Sequence, residues 1–199
     1  IATVCKKIGA KMVYLSTDYV FSGEGDCPWK ADNEIFEPRN VYGKTKLEGE
    51  QAVARLLEKY FIVRTSWMFG INGDNFVKTM MAIGKRHGEI RVVNDQVGTP
   101  TYTFDLARLL VDMIETEKYG YYNATNEGGY VSWYDFTVEI LKQAGLDTTV
   151  IPVSSKEYGL SNAKRPLNSR LDKSKLVKAG FEPLPTWQDA LSRYLNKID

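Results

Sequence analysis

The sequence of 199 residues has few of the side chains that build metal centres and disulfide frameworks. It contains one histidine, His87, and two cysteines, Cys5 and Cys27, with no Cys-x-x-Cys pair. We therefore expect no structural zinc site, and so few cysteines favour a reducing cytoplasm over an oxidising compartment. His87 lies among charged residues and precedes a glycine, which indicates an exposed helix end. Cys27 has no activating base beside it in the sequence and is expected to be inert.

Long apolar runs and an excess of charge of one sign are also missing. No stretch approaches the roughly 18 apolar residues of a membrane span, and the opening segment IATVCKKIGAKMVYLS lacks the apolar core and cleavage site of a signal peptide. The chain has 26 basic and 25 acidic residues, a formal net charge of +1. That balance gives no reason to expect nucleic acid or a membrane as a partner. The composition, 43% apolar and 26% charged, is typical of a globular protein.

Strand-like runs alternate with segments of helical periodicity. The predicted strands are 11–16, 61–66, 89–93, 120–125 and 148–153, and the predicted helices are 41–60, 75–87, 104–116, 132–145, 171–180 and 186–198. Helical segments between successive strands imply crossover connections and a largely parallel sheet, so the fold class is α/β. The segment ATVCKKIGA has helical periodicity and ends at Gly9, but no capping residue precedes it. We therefore expect the sequence to be a fragment of a longer protein.

Polar and aromatic residues follow the first two predicted strands. Thr17 and Asp18 come directly after the first strand, and Ser66 and Trp67 lie at the end of the second. In parallel α/β sheets, ligands bind beyond the carboxyl ends of the strands. The predicted helix 41–60 lies between these strands in the sequence. Three segments are therefore predicted to converge on one cleft.

Tyr42 and Lys46 stand four residues apart in NVYGKTKLEGE, so their side chains share a helix face. A lysine near a tyrosine favours the phenolate, and a tyrosine whose pKa falls from roughly 10 becomes a usable proton donor near neutral pH. Reduction of a ketone needs such a group, because hydride reaches the carbonyl carbon while a proton reaches its oxygen. Thr17, at the strand end, would orient that oxygen. On spacing alone, a packed tyrosine beside a solvated lysine is the more common arrangement.

Six motifs extend this pattern over nearly the whole chain: STDYVF, YGKTKLEGE, RTSWMFG, NFVKTM, NDQVGTPTY and RPLNSRLDKSKL. The first three closely resemble the extended short-chain dehydrogenase/reductase family, in which Tyr42-x-x-x-Lys46 matches the catalytic pair and Thr17 the family's Ser or Thr. All six, in this order, resemble stretches of the dTDP-4-dehydrorhamnose reductases. The resemblance implies a partial Rossmann-type parallel sheet with flanking helices, plus a small C-terminal substrate-binding α/β region.

The resemblance also implies a role for each residue. NADPH or NADH would deliver hydride to the C4 ketone of dTDP-4-dehydro-6-deoxy-L-mannose, which would give dTDP-L-rhamnose. Tyr42 would protonate the oxygen, and Lys46 would hold the nicotinamide ribose and lower the Tyr42 pKa, so that both residues belong to the cofactor site. Thr17 would bind the reacting oxygen. Asp18 and Trp67 would contact the sugar, an aromatic face being suited to a sugar ring.

The sequence departs from that family at the cofactor phosphates. The family begins with a Gly-rich turn that seats the pyrophosphate on a helix N-terminus, and neither G-x-G-x-x-G nor G-x-x-G-x-x-G occurs here. We therefore assign 1–66 to the C-terminal part of the dinucleotide-binding domain, with the catalytic helix. Residues 67–199 form the mixed remainder of that domain and the substrate-binding region. This piece alone is expected to be inactive, and the residue that separates NADH from NADPH belongs to the missing half. Some relatives form homodimers with a bound divalent cation, but no acidic cluster indicates one here.

Two minor features have two interpretations each. Lys164, Arg165 and Arg170 in the loop NAKRPLNSR suit a substrate diphosphate, because the guanidinium fork matches phosphate, but a solvated loop is an equal alternative. The tyrosines of the YGYYN segment, Tyr119, Tyr121 and Tyr122, favour strand packing over a base-stacking surface.

Two other functions stay open. A sister 4,6-dehydratase or 4-epimerase also uses Tyr-x-x-x-Lys, but dehydration needs further acid and base groups beside the threonine. Asp18 follows Thr17 directly, whereas no glutamate follows Asp18. The second alternative is a non-catalytic regulatory subunit like the beta subunit of methionine adenosyltransferase, which shares the STDYVF and YGKTKL patterns. Such a subunit is expected to lose the tryptophan region, which this chain keeps in RTSWMFG.

Overall fold

The computed structural model describes residues 1–159 and 164–198. The helices in these ranges are α1 (Ala2–Ile8), α2 (Val41–Leu56), α3 (Phe76–Gly84), α4 (Thr103–Ile114), α5 (Trp133–Gln143), α6 (Ser155–Tyr158), α7 (Ser174–Lys178) and α8 (Trp187–Ile198). The strands are β1 (Met12–Thr17), β2 (Tyr60–Thr65), β3 (Met68–Phe69), β4 (Glu89–Val93), β5 (Val97–Gly98), β6 (Thr101–Tyr102), β7 (Gly120–Asn123), β8 (Val131–Ser132) and β9 (Thr149–Val153). A short 3-10 helix, Asp18–Val20, follows β1 directly.

The central feature is a parallel sheet of three strands in the order β1-β2-β7. Thr17 pairs with Thr65 at the carboxyl ends of β1 and β2, so both strands end at the same edge of the sheet. Strands β4 and β9 form a second parallel pair, as do β3 and β6, whereas β5 and β8 are antiparallel. The predicted α/β fold with a largely parallel sheet and flanking helices is confirmed.

Helices cover both faces of this sheet, which explains why β2 is apolar along most of its length. Phe61 and Val63 pack with Leu109 and Met113 of α4 on one face. Ile62 faces the other side, where it packs with residues of α1 and α2. A separate apolar core surrounds α5 and α8 and includes residues of α3 and β4. Among the residues that the structure describes, no helix has the length and apolar character needed to cross a bilayer.

Most predicted elements exist, but several boundaries were wrong. The predicted helix 41–60 ends at Leu56, because the backbone adopts an extended conformation at Leu57 and leads into β2. The helix predicted over 75–87 ends at Gly84, and the strand predicted over 120–125 ends at Asn123. The two-residue strands β3, β5, β6 and β8 and the helix α6 were not predicted, since elements this short carry no readable periodicity.

The start of α2 is fixed by one cap and one close contact. Asn40 is the N-cap, and its side-chain oxygen accepts a hydrogen bond from the Gly43 amide at 2.8 Å. Gly43 packs directly against the 3-10 helix: a Cβ at this position would lie 2.2 Å from the Tyr19 carbonyl oxygen and 3.0 Å from the Pro38 Cβ. The glycine therefore sets how closely α2 approaches the end of β1.

We expect Gly43→Ala to lower the free energy of unfolding by about 2 kcal/mol, because the added methyl meets backbone that cannot move aside. The gain in helix propensity, about 1 kcal/mol in an open helix, would offset only part of the cost. Urea denaturation measures the difference. Lys44→Ala is the matched control, since Lys44 is the exposed neighbour in the same turn. Equal stability of the two variants would contradict the close packing inferred for Gly43.

Candidate active site

One cleft of about 980 Å³ opens at the carboxyl edge of the central sheet. Thr17 and Asp18 line it from the end of β1, Ser66 and Trp67 from the end of β2, and Tyr42 from the first turn of α2. The structure thus brings together the three segments that were expected to converge. Parallel pairing of β1 with β2 is the physical reason, because it puts both strand ends at one edge.

Tyr42 stands at the mouth of the cleft with its side chain 52% exposed. Its ring packs edge-to-face on that of Tyr19, with centroids 5.6 Å apart and an interplanar angle of 78°. Tyr19 also lines the cleft and follows Thr17 by two residues. The phenol therefore has one face supported by protein while its hydroxyl remains accessible to a ligand.

Lys46 lies one turn further along α2, and its ammonium is directed at the backbone of β1. The Nζ atom donates a hydrogen bond to the Leu15 carbonyl oxygen and lies 4.3 Å from the centroid of the Tyr14 ring. Partial burial lowers the pKa of the Lys46 ammonium, and the negative charge of Glu50 opposes this shift. An ammonium has three donors, so the bond to Leu15 leaves two for a ligand.

Thr17 and Asp18 form a buried pair on the floor of the cleft, 5% and 2% exposed. The Thr17 hydroxyl donates to Asp18 Oδ1 at 3.0 Å and accepts from the Tyr19 amide at 3.3 Å. Asp18 Oδ2 is buried without a hydrogen-bond partner among the described residues. Burial raises the pKa of Asp18 to about 6, although the nearby hydroxyls of Ser169 and Thr17 oppose the rise.

Trp67 has a backbone conformation that is rare for a side chain of its size. Its φ is +48°, the only positive φ at a non-glycine residue in the described ranges, and such left-handed conformations cost about 1–3 kcal/mol. Its neighbours hold it there: Ser66 donates to the Thr99 carbonyl at 2.9 Å, and the Trp67 carbonyl accepts from the Thr101 amide at 3.1 Å. Strain maintained by the surroundings is typical of functional sites.

The indole of Trp67 stacks on that of Trp133, with ring centroids 3.7 Å apart and an interplanar angle of 13°. Both rings line the cleft and together form one aromatic wall. Gly98 packs directly on the Trp67 ring. A Cβ at this position would lie 2.9 Å from the ring, so the glycine leaves room for the indole. Trp133 was not identified from the sequence. The one signal in the sequence was its position directly after Ser132, because the residue that follows an N-cap is the first residue of the helix.

The basic loop is only partly at the cleft. Lys164 and Arg165 line it together with Arg39, which was not identified from the sequence. Arg170 instead donates to the Asn168 side-chain oxygen at 3.1 Å. Positions 162–163 of this loop lie outside the described residues.

The remaining residues singled out in the sequence lie away from the cleft. Tyr121 and Tyr122 belong to β7, which confirms strand packing for these two tyrosines, and Tyr119 packs beside them on Phe61. His87 and Cys27 are both exposed, and His87 follows the end of α3. Within residues 1–159 and 164–198, no group of three His, Cys, Asp or Glu side chains could hold a metal ion.

The polar atoms around the cleft fit the nicotinamide–ribose end of a dinucleotide. Ser16 Oγ is buried, lines the cleft and lacks a hydrogen-bond partner among the described residues. Lys46 is not among the residues that line the cleft; its two further donors lie on the adjacent turn of α2. For the phosphates of a dinucleotide, in contrast, the sequence has no Gly-rich turn of the two patterns sought above.

Comparison with known proteins agrees with this geometry. The family model described as RmlD substrate binding domain matches residues 1–199. A dTDP-4-dehydrorhamnose reductase of Aggregatibacter actinomycetemcomitans is 42% identical over 193 residues, which cover 90% of this chain and 64% of that protein. The spore coat polysaccharide biosynthesis protein SpsK of Bacillus subtilis is 39% identical over 191 residues, 96% of this chain and 66% of SpsK. The chain thus spans slightly less than two thirds of the length of these two relatives.

Solved structures are equally similar. A dTDP-4-dehydrorhamnose reductase from Bacillus anthracis, in complex with NADP, superposes with a TM-score of 0.93 at 42% identity and covers 98% of this chain and 69% of that one. An orthologous reductase from Clostridium acetobutylicum gives a TM-score of 0.94 at 44% identity, with 99% and 69% covered. The resemblance inferred from the six motifs is confirmed. The chain belongs to the RmlD substrate binding domain family.

Proposed function

We propose that the full-length protein reduces the C4 ketone of dTDP-4-dehydro-6-deoxy-L-mannose to dTDP-L-rhamnose with NADPH or NADH. The observation that carries the proposal is the cleft in which the Tyr42 phenol, the Thr17 hydroxyl and the Trp67 indole come together. The names of the relatives, and the NADP in the Bacillus anthracis structure, support it. We also propose a cytoplasmic location and the division of the chain into 1–66 and 67–199.

The proposed chemistry uses one proton donor and one cation from α2. A bound reduced nicotinamide would supply hydride to the carbonyl carbon. Tyr42 gives its phenolic proton to the carbonyl oxygen, and solvent at the exposed mouth of the cleft restores that proton. Lys46 donates to the nicotinamide ribose with the hydrogens that Leu15 leaves free.

Thr17 can bind the reacting oxygen in a defined way. Its single proton is committed to Asp18 and one lone pair to the Tyr19 amide, which leaves one lone pair as an acceptor. That lone pair accepts a hydrogen bond from the C4 hydroxyl once the oxygen has been protonated. Asp18 holds the threonine hydroxyl in this orientation and lies close enough to the cleft to contact a sugar hydroxyl.

The rest of the cleft suits a nucleotide sugar. The stacked indoles of Trp67 and Trp133 offer an apolar wall for one face of the sugar ring. Arg39, Lys164 and Arg165 line the same cleft and match the charge of a diphosphate. We therefore favour diphosphate binding over a purely solvated loop for Lys164 and Arg165, but not for Arg170.

Cofactor stoichiometry separates this proposal from its alternatives. The full-length protein, given the keto-sugar nucleotide and NADPH or NADH, is expected to oxidise one reduced cofactor for each sugar converted. A 4-epimerase or 4,6-dehydratase would convert its sugar without net consumption of reduced cofactor, and a regulatory subunit would show no turnover. Either of these results with folded full-length protein would refute the reductase proposal.

A further inference from the structure

A buried ion pair joins the helix of the proposed proton donor to the central strand of the sheet. The side chains of Glu50 on α2 and Arg64 on β2 are each 1% exposed. Arg64 donates from Nε and Nη2 to the two carboxylate oxygens of Glu50, at 2.9 and 2.7 Å. Its remaining terminal nitrogen donates to the Ala31 carbonyl oxygen at 3.1 Å. The contact is therefore bidentate, and each of the three guanidinium nitrogens donates one hydrogen bond.

Aromatic rings hold the guanidinium in place as well. The Arg64 Cζ atom lies 5.0 Å from the ring centroid of Phe21, 5.1 Å from that of Phe36 and 4.9 Å from that of Tyr121. Cation–π attraction is strongest where water is excluded, as it is here. The Arg64 guanidinium is thus held in one position, and the Glu50 carboxylate can form both hydrogen bonds with it in only one orientation.

Net stability does not explain why charges are used at this position. The cost of removing two ions from water commonly equals or exceeds their attraction, so that apolar side chains of similar volume would hold the helix as firmly. A bidentate pair differs from apolar packing because its hydrogen bonds are directional. It therefore fixes both the rotation of α2 about its own axis and the position of α2 along that axis.

The pair joins the two elements that lead to the cleft. Glu50 follows Lys46 by one helical turn and Tyr42 by two, while Arg64 precedes Ser66 by two residues on the strand that leads to Trp67. We infer that Glu50 and Arg64 are positioning residues that fix α2 about its axis, so that Tyr42 faces the strand-end groups and Lys46 keeps its place one turn further along the helix. This inference deepens the proposed reductase function and rests on it.

The pKa of Lys46 also depends on Glu50. Burial lowers the pKa of its ammonium, and Glu50 is the group that opposes this shift. Removal of the Glu50 charge should therefore lower the Lys46 pKa further.

The double variant Glu50→Gln/Arg64→Met tests the inference, because it removes both charges while it keeps the volume. We expect it to fold with a lowered unfolding midpoint, because the amide introduced at position 50 is buried without the Arg64 donors. Its kcat should fall by about 10- to 100-fold, the size expected from a small misplacement of a catalytic group, while KM for the sugar nucleotide changes little. Titration of ¹³C-methylated lysines by NMR, with Lys46 assigned through Lys46→Arg, should show a lowered Lys46 pKa. A folded double variant with unchanged kcat, or with an unchanged Lys46 pKa, would overturn the inference.

The matched control is Asp105→Asn/Arg193→Met, which removes the bidentate pair between α4 and α8. It should leave kcat and the Lys46 pKa unchanged. If Glu50→Gln/Arg64→Met does not fold, Arg64→Lys replaces it: it keeps both charges but loses the bidentate fork, so kcat should fall and the Lys46 pKa should stay. Retained kcat in folded Arg64→Lys would then refute the positioning role. Absence of turnover in the unmodified protein would refute the proposed function alone, since the lysine titration is independent of it.

Discussion

Tyr42→Phe is expected to lower kcat of the full-length protein by at least about 1,000-fold, within the range attributed to general acid catalysis. The substitution removes one oxygen atom and nothing else. Without the phenol, the ketone oxygen loses its proposed proton donor, so hydride transfer would leave an unprotonated alkoxide. The effect should appear in kcat and kcat/KM alike, because the proton transfer occurs in the transition state.

The same substitution should leave the fold intact. The Tyr42 side chain is 52% exposed, and its hydroxyl has no hydrogen-bond partner among the described residues. We expect the free energy of unfolding to change by less than about 0.5 kcal/mol, as for most surface substitutions. Tyr60→Phe is the matched control, since Tyr60 begins β2 at the opposite end of the strand from the cleft. Turnover of Tyr42→Phe above a tenth of the control's would remove Tyr42 as the proton donor.

Asp18→Asn is expected to stabilise the protein at pH 8 and to have little effect at pH 4. Burial raises the pKa of Asp18 from its ordinary 3.8 to about 6, so the folded protein binds this proton more tightly than the unfolded chain does. The stability linked to that proton is fully present below about pH 4 and is lost as pH rises through about 6. A difference of roughly two pKa units corresponds to about 3 kcal/mol at pH 8.

Asparagine keeps the shape and the acceptor oxygen of Asp18 but has no charge to bury. The variant should therefore exceed the unmodified protein by about 2–3 kcal/mol at pH 8, and the two should converge at pH 4. Urea denaturation at both pH values measures the difference. A gap that does not depend on pH would mean that Asp18 is not the titrating group, and a less stable variant at pH 8 would contradict the cost assigned to its burial.

The cost of burying Asp18 is consistent with a functional site. A buried carboxylate with one unpartnered oxygen is held next to Thr17 at neutral pH, and natural proteins accept such local costs mainly where function needs them. We expect Asp18→Asn to raise KM for the sugar nucleotide while it raises stability.

The sequence predicted those parts of the fold that depend on local pattern. The strand 89–93 agrees with β4 at both ends, because Gly88 and Asn94 mark its limits. The convergence of Thr17, Tyr42 and Trp67 followed from one rule about parallel strands and needed no contact information.

The features that were missed depend on tertiary contacts. Trp133 reaches the cleft because the first turn of α5 lies against Trp67, and the left-handed backbone of Trp67 follows from hydrogen bonds around its neighbours. Between Glu50 and Arg64 lie the end of α2, a turn and most of β2. Nothing in the local sequence of either residue therefore shows that they pair. Such features depend on how elements meet, which periodicity does not encode.

Deuterium tracing tests the central claim most directly. The full-length protein would be given dTDP-4-dehydro-6-deoxy-L-mannose and NADPH that carries deuterium in the transferable C4 position, and the sugar would be analysed by NMR. The proposed reaction places deuterium on C4 of the sugar and a solvent proton on its oxygen. A sugar product without deuterium at C4, or a cofactor that keeps its label, would contradict it.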